Sequence, residues 1–150
     1  MAIEKCPQCG AELPEGEDCR ARFDLCLAKE FADPAIFGAV HNLSVPAYML
    51  QHNEYSREGW LETRKLLAKF VYEGLSPSDA RKQNRERVDS GKLKWSFTKG
   101  EKLTQVDDIR WTRTLADVRL DPAEHYCADV KLWAASILAD AESLMRELES

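Results

Sequence analysis

Cys6-Pro7-Gln8-Cys9-Gly10 is the stretch that decides how the amino-terminal part of this chain folds. Two cysteines separated by two residues can place two thiolates on one metal ion, and the intervening proline and the following glycine allow the turn to close. Redox proteins share this spacing, but no βαβ pattern surrounds it, so the motif favours a metal site. The sequence therefore predicts a turn-rich zinc knuckle over residues 1–16.

A third ligand is expected at Cys19, which opens a predicted helix over residues 17–32. The positive end of the helix dipole stabilises a thiolate at that position. Cys26 lies seven residues further along the same helix, about 10 Å along its axis, which is too far to share one zinc ion with Cys19. We interpret Cys26 and Cys127 as small buried core residues.

The fourth ligand follows from the helix that comes next. Asp33-Pro34 interrupts the first helix, and apolar periodicity resumes in a predicted helix over residues 34–52, with Pro34 as its first residue. Two helices joined by so short a turn pack antiparallel, which brings His52 near Cys19 and leaves His41 near the other end. The zinc ligands are therefore predicted to be Cys6, Cys9, Cys19 and His52, with His41 as the alternative fourth ligand.

The rest of the chain predicts an all-α fold, a small helical bundle that carries the knuckle. We expect a single domain over residues 1–150, with the knuckle at 1–16 and the bundle at 17–150. Apolar and polar residues alternate from Lys92 to Lys99, and this pattern predicts a short hairpin or an extended arm. The further predicted helices are 57–74, a polar helix from Ser76 to about Asp89, a short helix near 105–110, and 122–148.

Composition indicates an ordinary globular protein. Hydrophobic residues make up 44% and charged residues 31% of the 150 residues. No long apolar run and no signal peptide is apparent, so we expect a cytoplasmic protein without membrane contact. An odd number of cysteines, five, with a tight pair among them, favours metal binding over disulfides.

A basic island, defined here as residues 81–102, stands out from the net charge of −5. It holds eight lysines and arginines against three acids, with Trp95 and Phe97 among them. Aromatic side chains among cations can stack on bases or on apolar groups of an acidic partner, so the island predicts a contact with nucleic acid or with an acidic protein. The alternative is a solvated polar helix followed by an arm that buries Trp95.

The chain also resembles a bacterial family known only as a domain of unknown function. The resemblance is carried by CPQCGAELP at 6–14, KEFADP at 29–34, HNLSVPAYMLQH at 41–52 and VKLWAASI at 130–137. It implies a zinc-like knuckle on a helical domain, and it implies no activity. Pro46 stands where that family often has an acid, and the helix predicted at 57–74 lacks a histidine that relatives often have. Both departures argue against a catalytic site inside the bundle.

Three functions compete. A binding or adaptor module with a structural zinc is the interpretation that the residues favour, because no fingerprint of a common catalytic site is present. A metal-dependent enzyme would need His41, His52 and His125 to converge beside Glu124, yet the first two lie about 16 Å apart on a straight helix. A homodimeric structural or regulatory protein would use the apolar seam of the helix at 122–148, although the same seam could cover the chain's own core.

Overall fold

The computed structural model describes residues 3–14, 16–75, 79 and 100–149. These residues are mostly helical, as predicted. The helix predicted from Ser76 to about Asp89 and the arm predicted at 92–99, with Trp95 and Phe97, lie outside the described residues apart from Asp79.

Two short strands, five α-helices and three 3-10 turns make up the described part of the chain. The strands are β1 Ile3–Lys5 and β2 Glu12–Pro14. The helices are α1 Cys19–Ala32, α2 His41–Gln51, α3 Arg57–Tyr72, α4 Ala123–Asp140 and α5 Glu142–Glu149. The 3-10 turns are Phe37–Val40, Thr104–Asp108 and Leu115–Asp117.

The knuckle carries a β-hairpin that the sequence did not predict. Strands β1 and β2 pair antiparallel, with Lys5 opposite Glu12. The turn between them closes through two backbone hydrogen bonds, because the Cys6 N–H donates to the Ala11 carbonyl and the Gly10 N–H to the Cys6 carbonyl, both at 2.9 Å. Gly10 has a φ of +80°, which glycine adopts without a steric cost. Strands of three residues are too short to leave a clear alternating pattern.

Helices α1 and α2 form the antiparallel pair that the sequence predicted, but the connection between them differs. Pro34 does not begin a helix; a turn and a 3-10 segment come first, and α2 begins at His41. The connection stays close to α1 because Gly38 lacks a side chain. A Cβ atom at Gly38 would lie 3.0 Å from the Glu30 carbonyl oxygen, and the Gly38 N–H donates to the Asp33 carbonyl at 3.0 Å.

The core lies where α2, α3 and α4 meet. The Trp60 indole N–H donates to the Leu50 carbonyl at 3.0 Å, which fixes α3 to the end of α2. The Trp133 indole N–H donates to the buried Gln51 side-chain oxygen at 3.0 Å, which fixes α4 to the same place. Both indoles are therefore buried with their polar atoms paired, as buried tryptophans require.

The last predicted helix is interrupted. Instead of one helix over 122–148, α4 ends at Asp140 and α5 begins at Glu142. Thr112 holds this end of α4, since its N–H donates to the Asp140 carboxylate at 2.8 Å. The apolar seam of the predicted helix is buried within the chain itself at Tyr126, Val130, Trp133, Ile137, Ala141 and Leu144.

None of the helices that the structure describes is both long enough and apolar enough to cross a membrane.

Candidate metal centre

Four side chains from three segments of the chain converge at the amino-terminal end of α1. Cys6 and Cys9 come from the hairpin turn, Cys19 is the first residue of α1, and His52 directly follows α2. One ligand atom from each residue lies within 4.8 Å of all the others. Among the described residues, this is the one cluster of three or more such side chains that could hold a metal ion.

Two distances between ligand atoms show how closely the cluster is packed. The Cys9 and Cys19 sulfur atoms lie 3.6 Å apart, and the Cys6 sulfur lies 3.7 Å from Nε2 of His52. Tetrahedral zinc bonds to sulfur at about 2.3 Å and to nitrogen at about 2.0 Å, so ligand atoms around one ion are separated by roughly 3.5–4 Å. Both distances agree with that spacing.

One thiol of the cluster, that of Cys9, is already biased toward the charged form that binds metal. The pKa of Cys9 is lowered to about 4, chiefly because the Cys19 thiol donates a hydrogen bond to it, with His52 and the Ala11 backbone adding to the effect against the cost of burial. The same hydrogen bond, together with burial, raises the pKa of Cys19. One of the two thus holds the proton while the other is a thiolate, the form that coordinates zinc.

The ring of His52 is oriented by a backbone hydrogen bond. Its Nδ1 lies 2.8 Å from the Tyr48 carbonyl oxygen. Because a carbonyl oxygen can only accept, Nδ1 carries the proton and donates, and Nε2 keeps its lone pair toward the cysteines. A hydrogen bond of this kind on the far nitrogen is typical of metal-binding histidines.

Two aromatic rings support the imidazole. The Tyr48 ring stacks on His52 with centroids 4.1 Å apart, and Phe23 stacks on the other face of Tyr48 at 4.0 Å with the two rings parallel within 1°. Tyr48 lies on α2 and Phe23 on α1, so the stack spans the helix pair. Packing of this kind limits the rotation of the ligand before a metal binds.

Asn53 terminates the segment that carries the histidine. It has a φ of +50°, a left-handed conformation that asparagine tolerates better than most residues. Its buried side-chain amide donates to the Leu103 carbonyl at 3.0 Å. The chain therefore reverses immediately after His52, and the reversal is fixed to the segment that precedes α4.

The other two histidines lie elsewhere. Nδ1 of His41, the alternative fourth ligand, is 2.6 Å from the Glu30 carboxylate at the opposite end of the helix pair. Nδ1 of His125 is 3.2 Å from the Arg119 guanidinium, and Glu124 is exposed. Of the three, only His52 joins the cysteine cluster. The structure therefore does not assemble the three-histidine enzyme site.

The partner of His41 is a residue that sequence reasoning missed. Glu30 is 1% exposed, and its carboxylate accepts hydrogen bonds from Ser44 at 2.8 Å and from the Tyr126 hydroxyl. On the same helix, the apolar residues Leu25 and Phe31 are 52% and 68% exposed. The buried position of Glu30 could have been inferred from His41 and Ser44, which lie on one face of α2 and require a polar partner on α1.

Of the two remaining cysteines, Cys26 has the predicted buried environment, whereas Cys127 was predicted to be buried and is not. Cys26 is 1% exposed in the core, and burial raises the pKa of its thiol to about 11. The Cys127 thiol is half-buried and donates to the Ile36 carbonyl at 3.3 Å. Neither residue is part of the metal-ligand cluster.

Fold and site together define a helical protein with a Cys3His cluster that could hold a metal ion. Residues 4–142 match the model of a family of unknown function, DUF5946, and the chain belongs to that family. A comparison with curated proteins finds no match. A comparison with solved structures finds none either.

Replacing His41, the first residue of α2, and His52, which directly follows α2, in separate variants tests the assignment of the fourth ligand. We expect His52→Ala to lose the ability to bind a metal ion at the cluster, because three thiolates without the imidazole leave a tetrahedral site incomplete. His41→Ala should retain that ability, because its ring bonds Glu30 at the other end of α1. Metal content of both purified variants, measured by mass spectrometry, checks this; retention in His52→Ala with loss in His41→Ala would reverse the assignment.

Proposed function

We propose that this chain is a zinc-binding helical module in which Cys6, Cys9, Cys19 and His52 hold one structural zinc ion. The observation that carries the proposal is the convergence of four ligand atoms, from three separate segments, within 4.8 Å of one another. Buried polar groups are costly to bring together without a partner, and a metal ion is the partner that accounts for all four at once.

The donor set supports zinc over other biological metals. Three soft thiolates and one imidazole suit Zn²⁺, whereas calcium and magnesium take oxygen ligands. Carboxylates are absent from the described cluster, which disfavours the hard cations. Three thiolates on one divalent ion leave a net charge of −1, and the lowered pKa of Cys9 favours the ionisation of one of the three.

A structural role is supported by the closure of the ligand set. A catalytic zinc keeps one coordination position for water or substrate, while a structural zinc has four protein ligands. Here Cys9, Cys19 and His52 are 4%, 5% and 7% exposed. The hairpin has two strands of three residues each, too little to be stable by itself in water, so a zinc ion that joins it to α1 and α2 would stabilise it.

The biological role we propose is that of a binding or adaptor module in the cytoplasm, rather than of a catalyst. None of the five cysteines, all of which the structure describes, is in a disulfide bond, which supports a reducing compartment. From its composition we propose that the basic island at 81–102 binds the partner, and that the partner is an acidic, partly apolar protein segment. The net charge of −5 disfavours nucleic acid, whose own charge the rest of the chain would repel.

Zinc removal provides the test of the structural role. We expect a chelator to abolish hydrogen-exchange protection at the Cys6 and Gly10 amides, whose hydrogen bonds close the hairpin turn. The Trp60 amide, bonded to Ser56 inside the bundle, is the matched control and should stay protected. Free zinc at about 1,000 times its Kd should add about 4 kcal/mol to the free energy of unfolding. Equal protection with and without chelator would contradict a structural zinc.

Charge reversal within the basic island tests the binding role. The double variant Lys92→Glu and Lys94→Glu should bind a fluorescent peptide rich in aspartate and tryptophan about ten times more weakly, since each exposed ion pair contributes about 1 kcal/mol or less. Lys65→Glu, at an exposed position on α3, is the control and should bind unchanged. Fluorescence anisotropy at two salt concentrations measures both. Tighter binding of a single-stranded oligonucleotide than of the peptide would overturn the choice of partner.

A further inference from the structure

The four ligands of the proposed zinc site differ in their access to solvent. Cys9, Cys19 and His52 are buried, whereas Cys6 is half-buried. A cleft of about 130 Å³ opens beside it, lined by Lys5, Cys6, Pro7, Leu13, Asp18 and Cys19. A water molecule takes up about 30 Å³ of liquid volume, so the cleft has room for a small solute such as hydrogen peroxide.

The geometry points to Cys6 as a site of oxidative modification by hydroperoxides, through which the module releases its zinc ion. This inference rests on the proposed zinc site and adds its regulation. A thiolate, unlike a thiol, attacks peroxide, and the thiolate is the form in which cysteine binds zinc. Its half-buried position makes it the first ligand that an oxidant reaches.

The second thiol that oxidation requires is already in place. The sulfur atoms of Cys9 and Cys19 both lie within 4.8 Å of the Cys6 sulfur. A disulfide bond needs the two sulfurs to approach to about 2.05 Å, a movement of less than 3 Å. Cys6 and Cys9 lie in the hairpin turn, and Cys19 is the first residue of α1.

The chemistry balances in two steps. In the first step, the Cys6 thiolate sulfur attacks one peroxide oxygen, so that an S–O bond forms and the O–O bond breaks. Hydroxide leaves and takes a proton from the solvent. In the second, the thiolate of Cys9 or Cys19 attacks the Cys6 sulfur, an S–S bond forms, and the second hydroxide leaves. Two thiolates lose two electrons, the peroxide is reduced to two waters with two protons from solvent, and zinc keeps only one thiolate and His52.

Loss of the metal would then remove the link between the hairpin and the two helix ends that supply the other ligands. With two of four ligands gone, zinc affinity collapses, because a structural site depends on the complete set. The hairpin would lose its connection to α1 and to the end of α2. Reducing thiols and fresh zinc would restore the site, since a disulfide is reversible while a sulfinic acid is not.

Peroxide treatment of the zinc-loaded full chain tests the inference. We expect one equivalent of zinc, detected with a chromogenic chelator, to be released for each disulfide formed. Mass spectrometry should find Cys6 in that disulfide, and dimedone should trap a sulfenic acid on Cys6. Cys127→Ser, which removes a half-buried thiol outside the cluster, should release zinc at the wild-type rate.

The variant Cys6→His removes the thiol that is proposed to react first, so the zinc that this variant holds, measured before peroxide is added, should be released more slowly than from wild-type protein. Release from that variant at the wild-type rate, or a Cys9–Cys19 disulfide in wild-type protein whose Cys6 is unmodified, would overturn the inference. Zinc retained in wild-type protein while Cys127 is oxidised would do the same. Metal content measured before peroxide separates this failure from failure of the proposed function, in which no zinc would be present at the start.

Discussion

The register of α1 against α2 is the constraint on which the rest of the structure depends. The two helices run antiparallel, so the first residue of α1, Cys19, faces the residue that follows α2, His52. A shift of either helix by one turn, about 5.4 Å, would separate these side chains beyond the reach of one metal ion. The hairpin adds two further thiols, those of Cys6 and Cys9, to the same point.

The helix pair carries its polar groups at its two ends and its aromatic groups between them. Phe23 and Tyr48 stack at the level between the cysteine cluster and the buried Glu30. Each end satisfies its polar atoms in a different way: one with thiols and an imidazole that suit a metal, the other with the hydrogen bonds of Ser44, His41 and Tyr126 to a single carboxylate. Both ends specify the same register, because a slip would leave a buried carboxylate without donors.

Sequence alone predicted the cluster because its geometry follows from few choices. Three ligands follow from the Cys-x-x-Cys turn and from a cysteine at a helix start. The interruption at Asp33-Pro34 then leaves little freedom in where α2 must end, which places His52. The placement of Glu30 was not predicted, since a carboxylate in a helix is usually exposed and only tertiary contacts show otherwise. The hairpin and the interruption after Asp140 were missed for a similar reason: short strands and a break without glycine or proline leave weak local signals.

X-ray absorption at the zinc edge of the full chain, purified without added metal, tests the central claim most directly. Three sulfur atoms and one imidazole nitrogen should surround the ion, with zinc–sulfur distances of about 2.3 Å and a zinc–nitrogen distance of about 2.0 Å. A first shell of oxygen atoms, a shell of four sulfurs, or a chain that contains no zinc would contradict it.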